Sequence, residues 1–183
     1  MKKTSVIFLL LLFSLSTALF TTRERPTKAN LNDTSLAEDY AQFGYISVEE
    51  AVKEFENHFK QDVKLPKIKP SIPFTHQFGR FHEDKEYDIN DLLEIKFVNE
   101  KAEENIYKID IRPLENKITI KDRSNQKVYT LKNGQKAIYF EHQLFNFFVF
   151  EIGNWQYMLG IDKRVSKVTP EPDTLVEIAN SID

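Results

Sequence analysis

The chain contains no cysteine. Thiol nucleophiles, disulfide scaffolds, cysteine-ligated zinc and iron–sulfur clusters are therefore excluded outright. Glycine is scarce as well, with five residues in 183, and none stands in a P-loop or dinucleotide-binding spacing. A backbone cradle for phosphates is not encoded. Neither GxSxG nor HExxH occurs, which removes the nucleophile elbow and the helix-borne zinc motif. A basic surplus is missing too: 25 Lys and Arg stand against 28 Asp and Glu, a formal charge of −3. The two signs are interspersed, as in KEFENHFK and NEKAEENIYK. Nucleic-acid binding needs a net basic face, so that class of partner is excluded.

Long apolar runs are absent apart from the N-terminus, MKKTSVIFLLLLFSLSTALF. Lys2 and Lys3 form a short positive end, residues 6–15 an apolar stretch, and Ser16, Thr17 and Ala18 a small-residue exit. That order is the layout of an export signal. A bilayer-spanning helix needs about 20 predominantly apolar residues; residues 6–20 supply fewer, with Ser14, Ser16 and Thr17 among them. Cleavage after Ala18 satisfies the small-x-small rule, and an uncleaved N-terminal anchor is the alternative. A lipid anchor would need a cysteine. Loss of Lys2 and Lys3 with the leader leaves 23 basic against 28 acidic residues, a charge of −5. The expected organisation is a signal peptide or uncleaved anchor over 1–18, a polar flexible linker over 19–44 and an α+β domain over 45–183.

What is present in that domain is periodicity. Ser47 followed by Glu50 is a capping box, and Val48, Ala51, Val52, Phe55 and Phe59 recur at helical spacing. A helix over 48–60 is predicted. Pro66, Pro70 and Pro73 then forbid helix and favour an extended crossing segment. From residue 74 the period falls to two, predicting strands over 74–82, 92–99, 106–112, 117–121, 127–131, 137–140, 144–152 and 155–161. Links as short as LEN, KNGQ and GN cannot hold crossover helices, so neighbouring strands pair antiparallel. Tyr107, Ile109 and Ile111 alternate with Lys108, Asp110 and Arg112, the pattern of a sheet wetted on one side. Residues 144–152 are apolar on both faces, which predicts a central, doubly covered strand or an interface. A second helix follows Pro170 and Pro172, with Leu175, Val176, Ile178, Ala179 and Ile182 at helical spacing. The fold class is α+β: a curved antiparallel β-sheet of about six to eight strands, bracketed by an N-terminal and a C-terminal helix.

Candidate chemistry is sparse. His76 and His82 face the same way in an extended strand but lie ~20 Å apart, too far for one ion; His142 or Glu83 would have to supply a third ligand. No metal or cofactor is expected. The carboxylate pairs Glu49/Glu50, Glu83/Asp84 and Glu103/Glu104 sit in a helix's first turn or in charged loops, where they are solvated rather than poised for acid–base work. No catalytic residue emerges. The remaining oddity is aromatic: Phe145, Phe147, Phe148, Phe150, Trp155, Tyr157 and Met158 crowd one hairpin. They either fill the core or line an apolar groove for a ligand or a partner's segment. In the second case the ligand-binding residues are Phe147, Phe150, Trp155 and Tyr157.

The succession SVEEAVKEF, LPKIKPSIP, FTHQFGRFHE, LLEIKFVNE and WQYMLGID…TLVEIANSI, with Trp155, Gly160, Ala179, Ser181 and Ile182 closing it, resembles a domain-of-unknown-function family. That family occurs in secreted or membrane-tethered proteins of spore-forming Gram-positive bacteria. The resemblance covers most of 45–183 and implies an extracytoplasmic α+β domain whose curved sheet is similar to lipoprotein-carrier folds. It brings no catalytic residues with it. The resulting expectation is a non-enzymatic, secreted or cell-envelope domain that binds a protein or apolar ligand through its sheet. The alternatives are a membrane-anchored extracytoplasmic sensor or regulatory domain, touching the membrane only through its N-terminus, and an enzyme. Mass spectrometry of the exported protein should find Leu19 as the new N-terminus; a retained leader would make residues 1–20 an anchor.

Overall fold

Two serine capping boxes start the first two helices. Ser35 precedes α1, Leu36–Gln42, and Ser47 precedes α2, Val48–Phe59; in each, the serine hydroxyl accepts the N3 amide while the N3 glutamate accepts the serine's own N–H. In this computed structural model, residues 35–87, 89–121, 126–165 and 172–182 are described. Residues 36–42 are therefore helical, although they fall inside the linker expected over 19–44. The ring of Tyr40 explains the helix: it stacks on Phe78 at 4.3 Å and meets Tyr45 edge-on at 5.1 Å. Burial of those rings outweighs the weak intrinsic stability of so short a helix. Lys60 takes the left-handed conformation (φ 53°) and ends α2.

Seven strands follow: β1 (His76–His82), β2 (Leu92–Val98), β3 (Tyr107–Pro113), β4 (Lys127–Thr130), β5 (Lys136–His142), β6 (Phe145–Ile152) and β7 (Trp155–Asp162); α3 (Pro172–Ala179) comes after them. They form one open antiparallel sheet in the order β1-β2-β3-β7-β6-β5-β4. Two meanders, β1–β3 and β4–β7, are thus joined by the ladder between β3 and β7. The α+β class, the antiparallel pairing and the bracketing helices agree with the sequence pattern. The strand expected over 117–121 does not form. Both edges of β3 are already taken, by β2 and β7, so the chain leaving it through the 3-10 turn Leu114–Asn116 cannot rejoin the sheet beside it.

Strand alternation gives the sheet two faces of different character. The inner face carries Leu93, Ile95, Ile109, Ile111, Tyr157, Leu159, Phe148 and Phe150, packed in one cluster with Ala51 and Phe55 of α2 and Leu175 and Ile178 of α3. Phe55 is the hub, with its ring 4.8 Å from Trp155 and 5.5 Å from Phe81. The proline-rich crossing segment seals this layer: the Lys67 amide donates to Ser181 Oγ just beyond α3, at 3.0 Å. The outer face carries the alternate positions. It is not the simple wetted face that the alternation in β3 suggested, because Glu94, Asp110 and Gln156 on it are all buried.

Gly79 sets the distance between α2 and the sheet. A Cβ there would sit 2.7 Å from Ala51 Cβ and 2.9 Å from Val48 Cα. Its amide and carbonyl both pair with Ile46, at 2.9 and 2.8 Å, which pins the start of α2 to the edge of β1. Gly79→Ala should therefore lower stability by about 1–3 kcal/mol, the usual cost of overpacking. Urea unfolding would show this as a lower midpoint with an unchanged slope.

Candidate functional site

The outer face of β1–β3 concentrates charge. Arg80, Glu94 and Asp110 stand in one cross-strand row, and Phe78, Lys96 and Lys108 in the next. Glu94 is the anchor. Its Oε2 accepts from the Tyr45 hydroxyl at 2.7 Å and from Arg80 at 2.8 Å, while its Oε1 lies 3.1 Å from Lys96 Nζ. Lys96 also donates to the Tyr45 hydroxyl. Arg80 and Lys96 both sit over the Tyr45 ring, 4.6 and 4.8 Å from its centroid, and Arg80 donates to the Phe43 carbonyl at 3.1 Å. That last bond, with the Tyr40–Phe78 stack, docks the end of α1 on this face.

One strand further in, Lys108 Nζ donates to Asp110 Oδ2 at 2.9 Å and lies 5.7 and 5.4 Å from the Phe145 and Phe147 rings. Gly160 makes this crossing possible, since a Cβ there would come within 3.0 Å of Lys108 Cγ and of the Phe147 ring. Asp110 is only 4% exposed, and its Oδ1 has no partner among the described residues. Arg112 adds a further half-buried cation beside it. Four cations therefore face two carboxylates, a local surplus of positive charge in an acidic chain.

Adjacent carboxylates here respond to opposite forces. Burial alone would raise the Glu94 carboxyl, but the Tyr45 hydroxyl, Lys96 and Arg80 outweigh it and hold it below the ordinary value. Asp110 moves the other way: burial raises it, Lys108 offsets this in part, and the Glu94 charge adds to the rise. Burial, followed by the hydrogen bond to Glu94, raises the Tyr45 hydroxyl. Opposite shifts in neighbouring acids are what an acid–base pair shows, but ion-pair networks produce them too. Both Glu94 oxygens are engaged, Oε2 by the tyrosine and Arg80 and Oε1 by Lys96.

The four aromatic residues read as a ligand site do not share a face. Phe147 pairs across to Gly160 and lies on the outer face, whereas Phe150, Tyr157 and Trp155 lie on the inner one. The last three are 2%, 1% and 5% exposed. Phe150 stacks on Tyr157 at 5.3 Å. Trp155 Nε1 donates to the Asp62 carbonyl at 3.0 Å and the Tyr157 hydroxyl to the Lys64 carbonyl at 2.9 Å. Trp155 and Tyr157 only border an open depression of about 440 Å³ beside Gln61, Asp62 and Lys64. A single concavity lined by all four is not formed, because the period of two sends Phe147 and Phe150 to opposite sides.

Histidine geometry also differs from the sequence-level view. His76 Nδ1 lies 2.8 Å from Thr75 Oγ1 and its ring stacks on Phe78; His82 and His142 are exposed. The histidine with carboxylate neighbours is His58, in the last turn of α2. Its Nε2 is 3.1 Å from buried Asp91 Oδ2 and its Nδ1 is 3.6 Å from Glu83 Oε1. Asp91 also accepts from the Asp84 amide at 2.6 Å, so the cluster staples the β1–β2 connection to α2. Only a basic residue at a helix C-terminus signalled it in sequence. The two carboxylates approach opposite ring nitrogens, and no group of three metal-ligating side chains converges among the described residues.

The two buried acids predict opposite pH signatures. Glu94 titrates lower in the folded chain than in the unfolded, so its contribution is full above the ordinary carboxylate range and is lost as pH falls through its folded value. Asp110 titrates higher when folded, so stability falls as pH rises from the ordinary carboxylate value through its raised one. Glu94→Gln should cost about 1–3 kcal/mol near pH 7, with the penalty shrinking in acid. Asp110→Asn should be better tolerated at pH 7 than at pH 4. Urea midpoints of both variants at the two pH values check this, and parallel responses would contradict it. Comparisons of the chain with protein families, with curated proteins and with solved structures found no match.

Proposed function

We propose that this protein is a non-enzymatic, extracytoplasmic binding domain that meets its partner through the outer face of its sheet. One observation carries the reading. The inner face is consumed by the packing of α2 and α3, while α1 reaches the outer face over β1–β3, near Phe78, Arg80, Val98 and Ile106. Over β4–β7 the outer face keeps Phe145, Phe147, Ile138 and Met158 half-buried and Val128 exposed. These apolar side chains adjoin the cation-rich network, the mixture of apolar anchor and charged rim that protein partners use. A small apolar ligand would instead call for an enclosing cavity, and the depressions on this face are open ones of about 370 and 420 Å³.

The extracytoplasmic location is supported by the pattern of residues 1–20, which lie outside the described residues. Among the described residues, no helix is long and apolar enough to cross a membrane. The non-enzymatic reading is supported by the full engagement of the Glu94 oxygens. A photo-crosslinking residue placed at Val128 or Phe145 should give a discrete protein adduct on the exported protein in its envelope. The same residue at Lys53, on the solvent side of α2, should not. Equal adducts at all three positions, or none at the first two, would overturn the outer-face reading.

A further inference from the structure

Residues 117–121, KITIK, have the alternation of a strand and, among the described residues, no strand paired with them. Lys117 is extended (φ −64°, ψ 144°). At Ile118 the side-chain amide of Gln156 takes the place of a neighbouring strand: it accepts from the Ile118 N–H at 2.8 Å and donates to the Ile118 carbonyl at 3.0 Å. Beyond that clamp, the backbone groups of Thr119, Ile120 and Lys121 make no hydrogen bond among the described residues. The strap crosses the outer face with a depression on either side. One is floored by Ile138 and Val149, the other by Phe147 and Met158. The rim is cationic. Lys117 is matched by Glu151 at 2.9 Å, but Lys136 reaches only the Thr130 hydroxyl, at 2.7 Å, and no carboxylate pairs with Lys121 among the described residues.

We propose that residues 117–121 receive a strand from a partner protein, an extended segment in which acidic and apolar residues alternate. Resting on the outer-face reading above, this names the kind of partner. Strand addition draws its affinity from main-chain hydrogen bonds and its specificity from pockets for alternate side chains. Here the backbone groups of Thr119 and Lys121, on the edge opposite the Gln156 clamp and without a hydrogen bond among the described residues, supply the first. The depression on that side of the strap supplies the second, taking an apolar side chain. Lys121 and Lys136 meet the carboxylates on the intervening positions. The charge rule is local: the rim is positive although the chain as a whole is negative.

The probe is a fluorescein-labelled, capped octapeptide alternating valine and glutamate, titrated into the exported protein and followed by anisotropy. Saturable binding is expected, at least tenfold weaker when lysine replaces every glutamate. Thr119→Pro removes one main-chain donor and should weaken binding at least tenfold, whereas Thr119→Ala, which keeps that donor, should bind like the parent. Lys121→Glu combined with Lys136→Glu should weaken it at least fivefold. Urea midpoints matching the parent show that each variant folds, and slowed amide exchange at Thr119 and Lys121 on binding locates the contact. No saturable binding, equal binding of the lysine peptide, or indifference to Thr119→Pro would overturn the proposal. If adducts at Val128 and Phe145 persist while the peptide fails, the strap proposal alone is lost; if the adducts fail too, the outer-face reading falls with it.

Discussion

Strand β3 pairs with β7 along seven residues, from Tyr107 opposite Ile161 to Pro113 opposite Trp155. Among the described residues that ladder is the only strand pairing between the two meanders, and most of the architecture follows from it. It places Ile109 beside Leu159 and Ile111 beside Tyr157, so the core side chains of both meanders fall on one face and form one cluster under α2 and α3. It also occupies the free edge of β3, which is why the chain beyond Pro113 has to leave the plane of the sheet. The pairing joins residues some fifty positions apart, a loop that must close before its contacts contribute. Its formation is therefore the step on which the shared core depends.

With the inner face committed to packing, the polar positions of β1–β3 are forced together on the outer face. Burying carboxylates there is costly unless their charges are met. The chain meets the Glu94 charge fully, with Tyr45, Arg80 and Lys96, and the Asp110 charge only in part, with Lys108. That inequality separates the two acids electrostatically although they are register partners. The same cations extend towards Phe145 and Phe147, so the charged and aromatic halves of the face are one continuous surface.

Much of the fold was legible because local signals were strong and agreed with one another. The Ser47–Glu50 box and its apolar stripe located α2, short links implied antiparallel pairing, and the doublet of prolines marked the approach to α3. What escaped depended on register. Ser35 and Glu38 form as good a capping box as Ser47 and Glu50, but α1 has too few apolar positions to show a period, and its stability comes from Phe78, distant in sequence. The alternation in 117–121 was real, yet a strand needs a vacant neighbour, and sequence does not show that β7 has taken it. Likewise, parity alone puts Phe147 opposite Phe150, but only the pairing of β6 with β7 and of β7 with β3 shows which side the core lies on. The Asp91–His58 contact rests on packing between a loop and a helix end, for which no spacing rule exists.

The position of the strap distinguishes it from the sheet's own edges. Exposed edge strands invite uncontrolled pairing, and proteins blunt them by shortening, charging or covering them. Both edges are treated in this way here: β1 is held by Ile46 at Gly79, and β4 is four residues long and begins at Lys127. Residues 117–121 lie over the outer face instead of at either end of the strand order. A strand added there would build a second, local layer above β5–β7, and the sheet itself would not lengthen. Because the strap is bounded by the 3-10 turn on one side and clamped by Gln156, the added layer ends with a single partner strand. A solvent-exposed backbone segment in this place can therefore be tolerated without the polymerisation that the same segment would risk at an edge.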